Sequence, residues 1–337
     1  MKTINLRAPG GLDALEVRES PDPGQPGPGQ IRVAIHATSL NYHDLLVANG
    51  SIPTEDGRLL MSDGAGVVEA VGEGVAEFEV GDHVVSGFFP QWQDGQAFDG
   101  VGNFRETPGD GIDGFAAEYS VRAATNFTRA PSGWSHAEAA TITTAGLTAW
   151  RALITEGSLK AGQSVLLLGT GGVSIAALQI AKAMGAKVFI TSSSDEKLER
   201  ARALGADSTI NYRRYPDWAN QVLAQTQGRG VDHVVEVGGP GTLSQSIQAV
   251  CVGGHVALIG VLTGREGQVP TGLLMAKQAR LQGLVVGNRR QQQEYVAALE
   301  QNELRPVIYQ SFRFEQLADA FRLQESGGHF GKIVAEW

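Results

Sequence analysis

Gly169-Thr170-Gly171-Gly172 breaks an apolar run, Val165 to Leu168, and a second apolar stretch follows at once, Val173 to Met184. A strand feeding a glycine turn that opens a helix is suited to hold a dinucleotide pyrophosphate. The helix start offers unpaired N–H groups and a positive dipole end, and glycines let backbone and phosphate approach closely. Gly169, Thr170, Gly171, Gly172 and Val173 are therefore the expected pyrophosphate-binding residues.

The next chemistry-bearing segment lies some twenty residues on. An NAD site usually carries an acid there for the ribose hydroxyls. Here the strand tip reads Thr191-Ser192-Ser193-Ser194, with no acid. Ser192 and Ser193 leave room for a 2′-phosphate and can hydrogen-bond it. Lys197, one helical turn along, can supply charge, and Tyr212 can cover the adenine side. Asp195 and Glu196 argue the other way, although acids in a first helical turn are ordinary dipole partners. The balance favours NADP(H).

These residues need a scaffold. From about residue 125, strand signals at Ser164–Leu168, Lys187–Thr191, Ser208–Ile210, His233–Val237, His255–Ile259 and Gly283–Val286 alternate with helical ones, notably Ile175–Met184 and Glu196–Leu204. That alternation predicts a doubly wound parallel sheet. The first 120 residues read as β-rich, with Ile31, Val33, Ile35 and Ala37 at every second position. Residues 87–115 form a long irregular stretch containing Phe88, Phe89, Trp92, Phe98 and Phe104, either a functional lobe or an anchored loop. The C-terminal part predicts helices at Gln291–Gln301 and Glu315–Gln324 and a strand at Lys332–Glu336.

Composition narrows the function classes. The chain of 337 residues is long enough for two domains, and its 42% hydrophobic and 19% charged residues are those of a globular protein. A net charge of −9 argues against nucleic acid or an anionic membrane as partner, leaving a small-molecule substrate. With Cys251 as the one cysteine, no disulfide framework or cysteine-based zinc site can form. The first residues lack a signal-peptide core and no stretch approaches a membrane span, so the cytoplasm is the expected location.

The sequence resembles the medium-chain dehydrogenase/reductase superfamily, in particular its zinc-free members near the quinone oxidoreductases and the zinc-type alcohol dehydrogenase-like subgroup that lacks the metal. The resemblance runs through Asn41-Tyr42-His43-Asp44, Asp63 to Val68, Val80 to Val84, Ala139-Ala140-Thr141, Ala145 to Trp150, Gly169 to Ser174, Leu204 to Asp207 and Gly331 to Val334. It implies an α/β protein: a GroES-like β-rich catalytic domain (1–125 and 290–337) and a Rossmann domain binding NADP(H) (126–289). The active site would lie between them, and a homodimer through the Rossmann sheet edge is expected. By the same resemblance Ser193, Lys197 and Tyr212 grip the 2′-phosphate, while Thr148, Gly260 and Asn288 line the rest of the dinucleotide. Ser174 stands where many relatives have a third glycine, which predicts slightly wider helix–strand packing.

In the zinc enzymes of this superfamily a cysteine, a histidine and a second cysteine hold the catalytic ion. The matching positions here are Asn41, Ser62 and Ala145, which make a poor ligand set, so a metal-free protein is expected. Without a Lewis acid, a conjugated acceptor that delocalises charge is the easier partner for hydride. NADPH-dependent reduction of small α,β-unsaturated carbonyls or quinones is the expected function. The alternatives are a zinc-free alcohol or carbonyl dehydrogenase and an NADPH-binding sensor or structural protein with little turnover. Candidate catalytic groups are Asn41, as an amide donor to an oxyanion, Tyr42, as a phenol donor, and His43, at the proton-relay position. His43 has a competing reading as a partner of Asp44 with no chemical role.

Overall fold

A computed structural model describes residues 1–337 and divides the chain into two compact units. The first is Met1–Leu147 with Val286–Trp337, the second Thr148–Val285. The first unit therefore claims residues 126–147, which the sequence assigns to the Rossmann part. The reason is pairing: Phe127–Arg129 is a strand on His83–Ser86, with Val85 opposite Thr128. The helix His136–Ala140 packs its alanines against the same sheet, in a cluster of Ala37, Ala65, Ala137, Ala139, Ala140 and Val334.

That sheet has seven strands, and the long strand Gln30–Ser39 organises it. It pairs antiparallel with Ala65–Val71, with Tyr119–Ala123 and with the C-terminal strand Lys332–Glu336, whose Val334 lies opposite Ser39. The alternation read at Ile31, Val33 and Ile35 fills a core with Val68, Val84, Phe115 and Phe127. A smaller three-stranded sheet completes the unit.

The second unit is a six-stranded parallel sheet. Its spatial order is Ser208–Asn211, Lys187–Ser192, Ser164–Leu168, Val231–Glu236, Val250–Leu258, Arg280–Gly283. This is the Rossmann winding, reversing direction at Ser164–Leu168. All five residues of that central strand are buried, as an unbroken apolar run covered on both faces should be. Each buried leucine or valine there contributes about 1.5–3 kcal/mol. One expected strand moves: the last ladder is Arg280–Gly283, not Gly283–Val286. Val286 has φ +46°, a left-handed conformation that a β-branched residue rarely adopts, and no ladder passes through it. No helix is long and apolar enough to cross a membrane.

His255 sits on the strand Val250–Leu258 with its Nε2 buried and unpartnered, edge-on to His233 at 6.0 Å. Burial first, then the charge of Arg280 and the neighbouring His233, lowers its pKa from 6.5 to about 4. The unfolded chain therefore binds the proton more readily. The stabilisation is complete above the unfolded pKa and is lost as pH falls from 6.5 towards 4, by about 3 kcal/mol at the lower end. His255→Asn should flatten that slope in urea titrations across this window; an unchanged slope would contradict the assignment.

Candidate functional site

In the second unit, Gly169 ends the central strand in the left-handed region at φ +73°, and Gly171 is the N-cap of the helix Gly172–Ala183. No side chain caps that helix and no acid sits in its first turn, so its leading N–H groups face outward without an internal acceptor. Cβ atoms added to Gly169 or Gly171 would meet nothing within 4 Å. The glycines thus border open space at a positive helix end, which fits a pyrophosphate. Ser174, which stands where wider packing is expected, is buried at 2% exposure. Its Oγ donates to the Leu168 carbonyl at 2.7 Å and stitches the helix to the end of the strand.

The strand tip beside this turn is ordered by its own hydroxyls. Thr191 Oγ1 accepts from Gly169 N at 3.2 Å, and Ser192 Oγ accepts from Ser194 N at 3.2 Å. Ser192 is only 4% exposed, so it shapes the tip rather than presenting a hydroxyl to a ligand, a correction to its expected role. Ser193 and Lys197 are half-buried, and Tyr212 is 41% exposed with its N–H bonded to the Ser192 carbonyl. Burial and then Arg200 lower the Lys197 pKa. Ser194 Oγ, the N-cap of the helix Asp195–Ala203, accepts from Lys197 N and so orients that turn. Thr148 is buried between two π-helical stretches, Ile142–Gly146 and Arg151–Thr155.

Glu236 was not singled out from sequence, where it reads as one more strand residue. It is fully buried with no cation beside it, and its carboxylate accepts from Gly238 N (2.7 Å), Gly239 N (3.0 Å), Thr242 Oγ1 (2.6 Å) and Ser246 Oγ. Four donors compensate the lost hydration and fix the turn beyond the fourth strand. Gly260 lies against that turn. A Cβ there would come within 2.0 Å of the Val237 carbonyl oxygen, so the close approach admits only glycine.

The first unit holds a different kind of cluster. Lys332 is 5% exposed, and its Nζ donates to the Leu40 carbonyl and, at 2.6 Å, to Asn41 Oδ1. Asn41 Nδ2 donates to Asp44 Oδ2 at 2.9 Å, and Asp44 Oδ1 accepts from Ser62 N at 2.8 Å. Asp63, wholly buried, accepts from Ser39 Oγ at 2.5 Å and Thr144 Oγ1 at 2.6 Å. Burial lifts the Asp63 pKa to about 6 against the pull of Lys332, with Asp44 adding to the rise. Asn41 is 6% exposed with both ends of its amide engaged inside the protein. This overturns the oxyanion role: Asn41 couples Lys332 to Asp44.

His43 follows in the short helix Tyr42–Ala48 but does not join that network. Its Nε2 lies 3.1 Å from Asp110 Oδ2, so its partner is Asp110, not the expected Asp44, whose oxygens are taken by Asn41 and Ser62. The imidazole stacks on Phe104 at 5.2 Å and meets the Phe88 edge at 5.6 Å. Tyr42 is 39% exposed. In the 87–115 segment Phe88, Phe89 and Trp92 are buried anchors, while Phe104 and Asp110 flank the His43 ring. Asn288 caps the helix Arg289–Gln301, accepting from Gln291 N at 2.8 Å and donating to the Gly95 carbonyl at 3.2 Å. At 2% exposure its side chain ties the loop to the C-terminal helix.

Asn41 Nδ2 and Ser62 Oγ approach to 3.4 Å, and Ala145 is buried nearby in sequence to Thr144. The donors around them are an ammonium, an amide, hydroxyls and two carboxylates. No group of three or more His, Cys, Asp or Glu is arranged to hold a metal ion, so these residues do not fit zinc.

Comparison with known proteins places this geometry in context. Residues 27–132 match the family model described as alcohol dehydrogenase GroES-like domain, and residues 172–301 the one described as zinc-binding dehydrogenase. A zinc-type alcohol dehydrogenase-like protein of Schizosaccharomyces pombe is 41% identical, over 96% of this chain and 95% of its own. The structure of an NAD-dependent alcohol dehydrogenase superposes with a TM-score of 0.90 at 35% identity, covering 100% of both chains. The crotonyl-CoA carboxylase/reductase AntE, solved in complex with NADP, gives 0.86 at 25% identity, covering 100% of this chain and 94% of its own.

Removing Lys332 should be the most damaging single change in the first unit. Lys332→Met leaves Asp44 and Asp63 buried without a cation and is expected to cost about 3–5 kcal/mol in urea unfolding. Adding Asp63→Asn should recover part of that loss. A change below about 1 kcal/mol in the single variant would contradict the network.

Proposed function

The chain belongs to the medium-chain dehydrogenase/reductase superfamily and is an oxidoreductase, and from that premise we propose that it reduces small α,β-unsaturated carbonyls or quinones with NADPH and without a metal. The observation that carries this is the make-up of the Asn41, Ser62 and Ala145 region. Positions that match zinc ligands hold an internally satisfied network around Lys332 and offer no electrophile for a simple carbonyl oxygen. A conjugated acceptor delocalises the incoming charge and needs that electrophile least.

NADPH, when bound, supplies the hydride. The glycines at 169 and 171 and the uncapped helix start at Gly172 bind its pyrophosphate. Ser193, Lys197 and Tyr212 hold the 2′-phosphate, at a strand tip that presents no acid. AntE, solved in complex with NADP, supports NADP and the NAD-dependent neighbour supports NAD; the acid-free tip is what favours NADP(H) in this reading. Hydride addition to the β carbon of an enone leaves an enolate, which takes a proton at its α carbon. His43 is the proton donor in this scheme, with Asp110 orienting its ring. Its ring is 18% exposed, so a proton can be replaced from solvent.

Alcohol oxidation is the alternative that similarity to alcohol dehydrogenases favours, and no feature of the chain favours a binding protein without turnover. One assay separates all three. Loss of NADPH absorbance is followed against enones, quinones, aldehydes and ketones, with wild type and His43→Ala. Turnover on enones or quinones is expected, slowed modestly in the variant because solvent can also protonate an enolate. Turnover confined to aldehydes and ketones, or absent throughout, would refute the proposal.

A further inference from the structure

Asp195 and Glu196, in the first turn of the helix after the strand tip, oppose a 2′-phosphate, and Asp195 stands first. It opens the helix Asp195–Ala203, next to Ser194 and two residues before Lys197. An ionised carboxylate free to swing there would repel a phosphate dianion. The carboxylate is not free. Asn211 Nδ2 donates to its Oδ1 at 2.7 Å, and the Arg214 guanidinium pairs with its Oδ2. Asn211 is itself held, 9% exposed at the end of the strand Ser208–Asn211, with its Oδ1 accepting from Arg213 N at 3.0 Å. Asp195, Asn211 and Arg214 together line a cavity of about 340 Å³ with Leu198 and Arg202; Ser192, Ser193 and Lys197 do not border it. The acid is thus turned to the flank of the helix facing the edge strand, and its charge is matched by a cation.

We infer that Arg214 is a specificity-determining positioning residue, which with Asn211 pins and neutralises Asp195 so that the tip accepts a 2′-phosphate. This inference rests on the NADP(H) assignment above. The mechanism is electrostatic masking: Arg214 does not touch the dinucleotide but removes a repulsive charge from its surroundings. Both members of the pair are largely exposed, 67% for Arg214 and 52% for Asp195. Exposed pairs contribute little to stability, so breaking this one leaves the fold intact.

The test measures NADPH and NADH dissociation constants by fluorescence on the full chain, for wild type, Arg214→Ala, Asp195→Asn and the double variant. Arg214→Ala should weaken NADPH about fivefold and leave NADH unchanged, the size expected of one unmasked, partly screened charge. Asp195→Asn should remove that penalty, so the double variant binds NADPH as wild type does. A direct Arg214–phosphate contact would instead leave the double variant as weak as Arg214→Ala, and that result overturns the masking role. So does an NADPH/NADH ratio unmoved in Arg214→Ala, with wild type still preferring NADPH. Wild type preferring NADH would overturn the NADP(H) assignment and this inference with it.

Discussion

Lys332 carries an ammonium group into an interior that water does not reach, and the architecture of the first unit follows from satisfying it. A buried charge is tolerated only with opposite charge and hydrogen bonds around it. Here the Leu40 carbonyl and the Asn41 amide oxygen accept its hydrogen bonds, Asp63 and Asp44 supply counter-charge, and Asn41 transmits the contact to Asp44. Asp44 in turn holds the Ser62 N–H, and Asp63 gathers Ser39 and Thr144. The C-terminal strand, the start of the Tyr42–Ala48 helix, the 62–63 turn and the π-helical Ile142–Gly146 segment are therefore coupled through one cation. Those segments converge on organic charges that satisfy one another.

The second unit poses the complementary problem. Its key element is a helix start left without an internal acceptor, with no side-chain cap at Gly171 and no acid in the first turn. The protein tolerates those outward N–H groups because they are solvent-facing, and the same groups are what an anionic ligand would use. Around them the chain is stiff: Ser174 stitches helix to strand, Thr191 ties the glycine turn to the neighbouring tip, and Glu236 locks the turn beyond. Rigid surroundings with one unsatisfied face are what preorganised binding requires.

What was legible in the sequence was whatever periodicity or glycine chemistry encodes locally. The alternation at Ile31–Ala37, the buried run Val165–Leu168 and the glycine turn after it all lie where their patterns put them. What was not legible arises from contacts between distant segments. The pairing of His43 with Asp110 spans 67 residues and passes through an irregular loop with no repeat to read. The same holds for Lys332 on Asn41, 291 residues apart, and that contact is why an amide expected to face substrate is occupied within the core. Asn288, placed along the dinucleotide by resemblance alone, also has a long-range partner that no local pattern announces, the Gly95 carbonyl 193 residues away. The last Rossmann strand was displaced because apolar Leu284–Val286 resembles a strand, while the positive φ of Val286 is set by tertiary context.

The chain combines an anion-ready glycine turn in one unit with, in the other, a buried network in which Lys332, Asn41 and Asp44 satisfy one another. The central claim is that hydride reaches an activated carbon–carbon double bond. It is tested most directly by carrying out turnover of an enone with NADPH deuterated at the nicotinamide C4 and locating the label in the product by NMR. The account predicts deuterium on the carbon β to the carbonyl, with the α position protonated from solvent. Deuterium on the carbonyl carbon itself, giving an allylic alcohol, would contradict it.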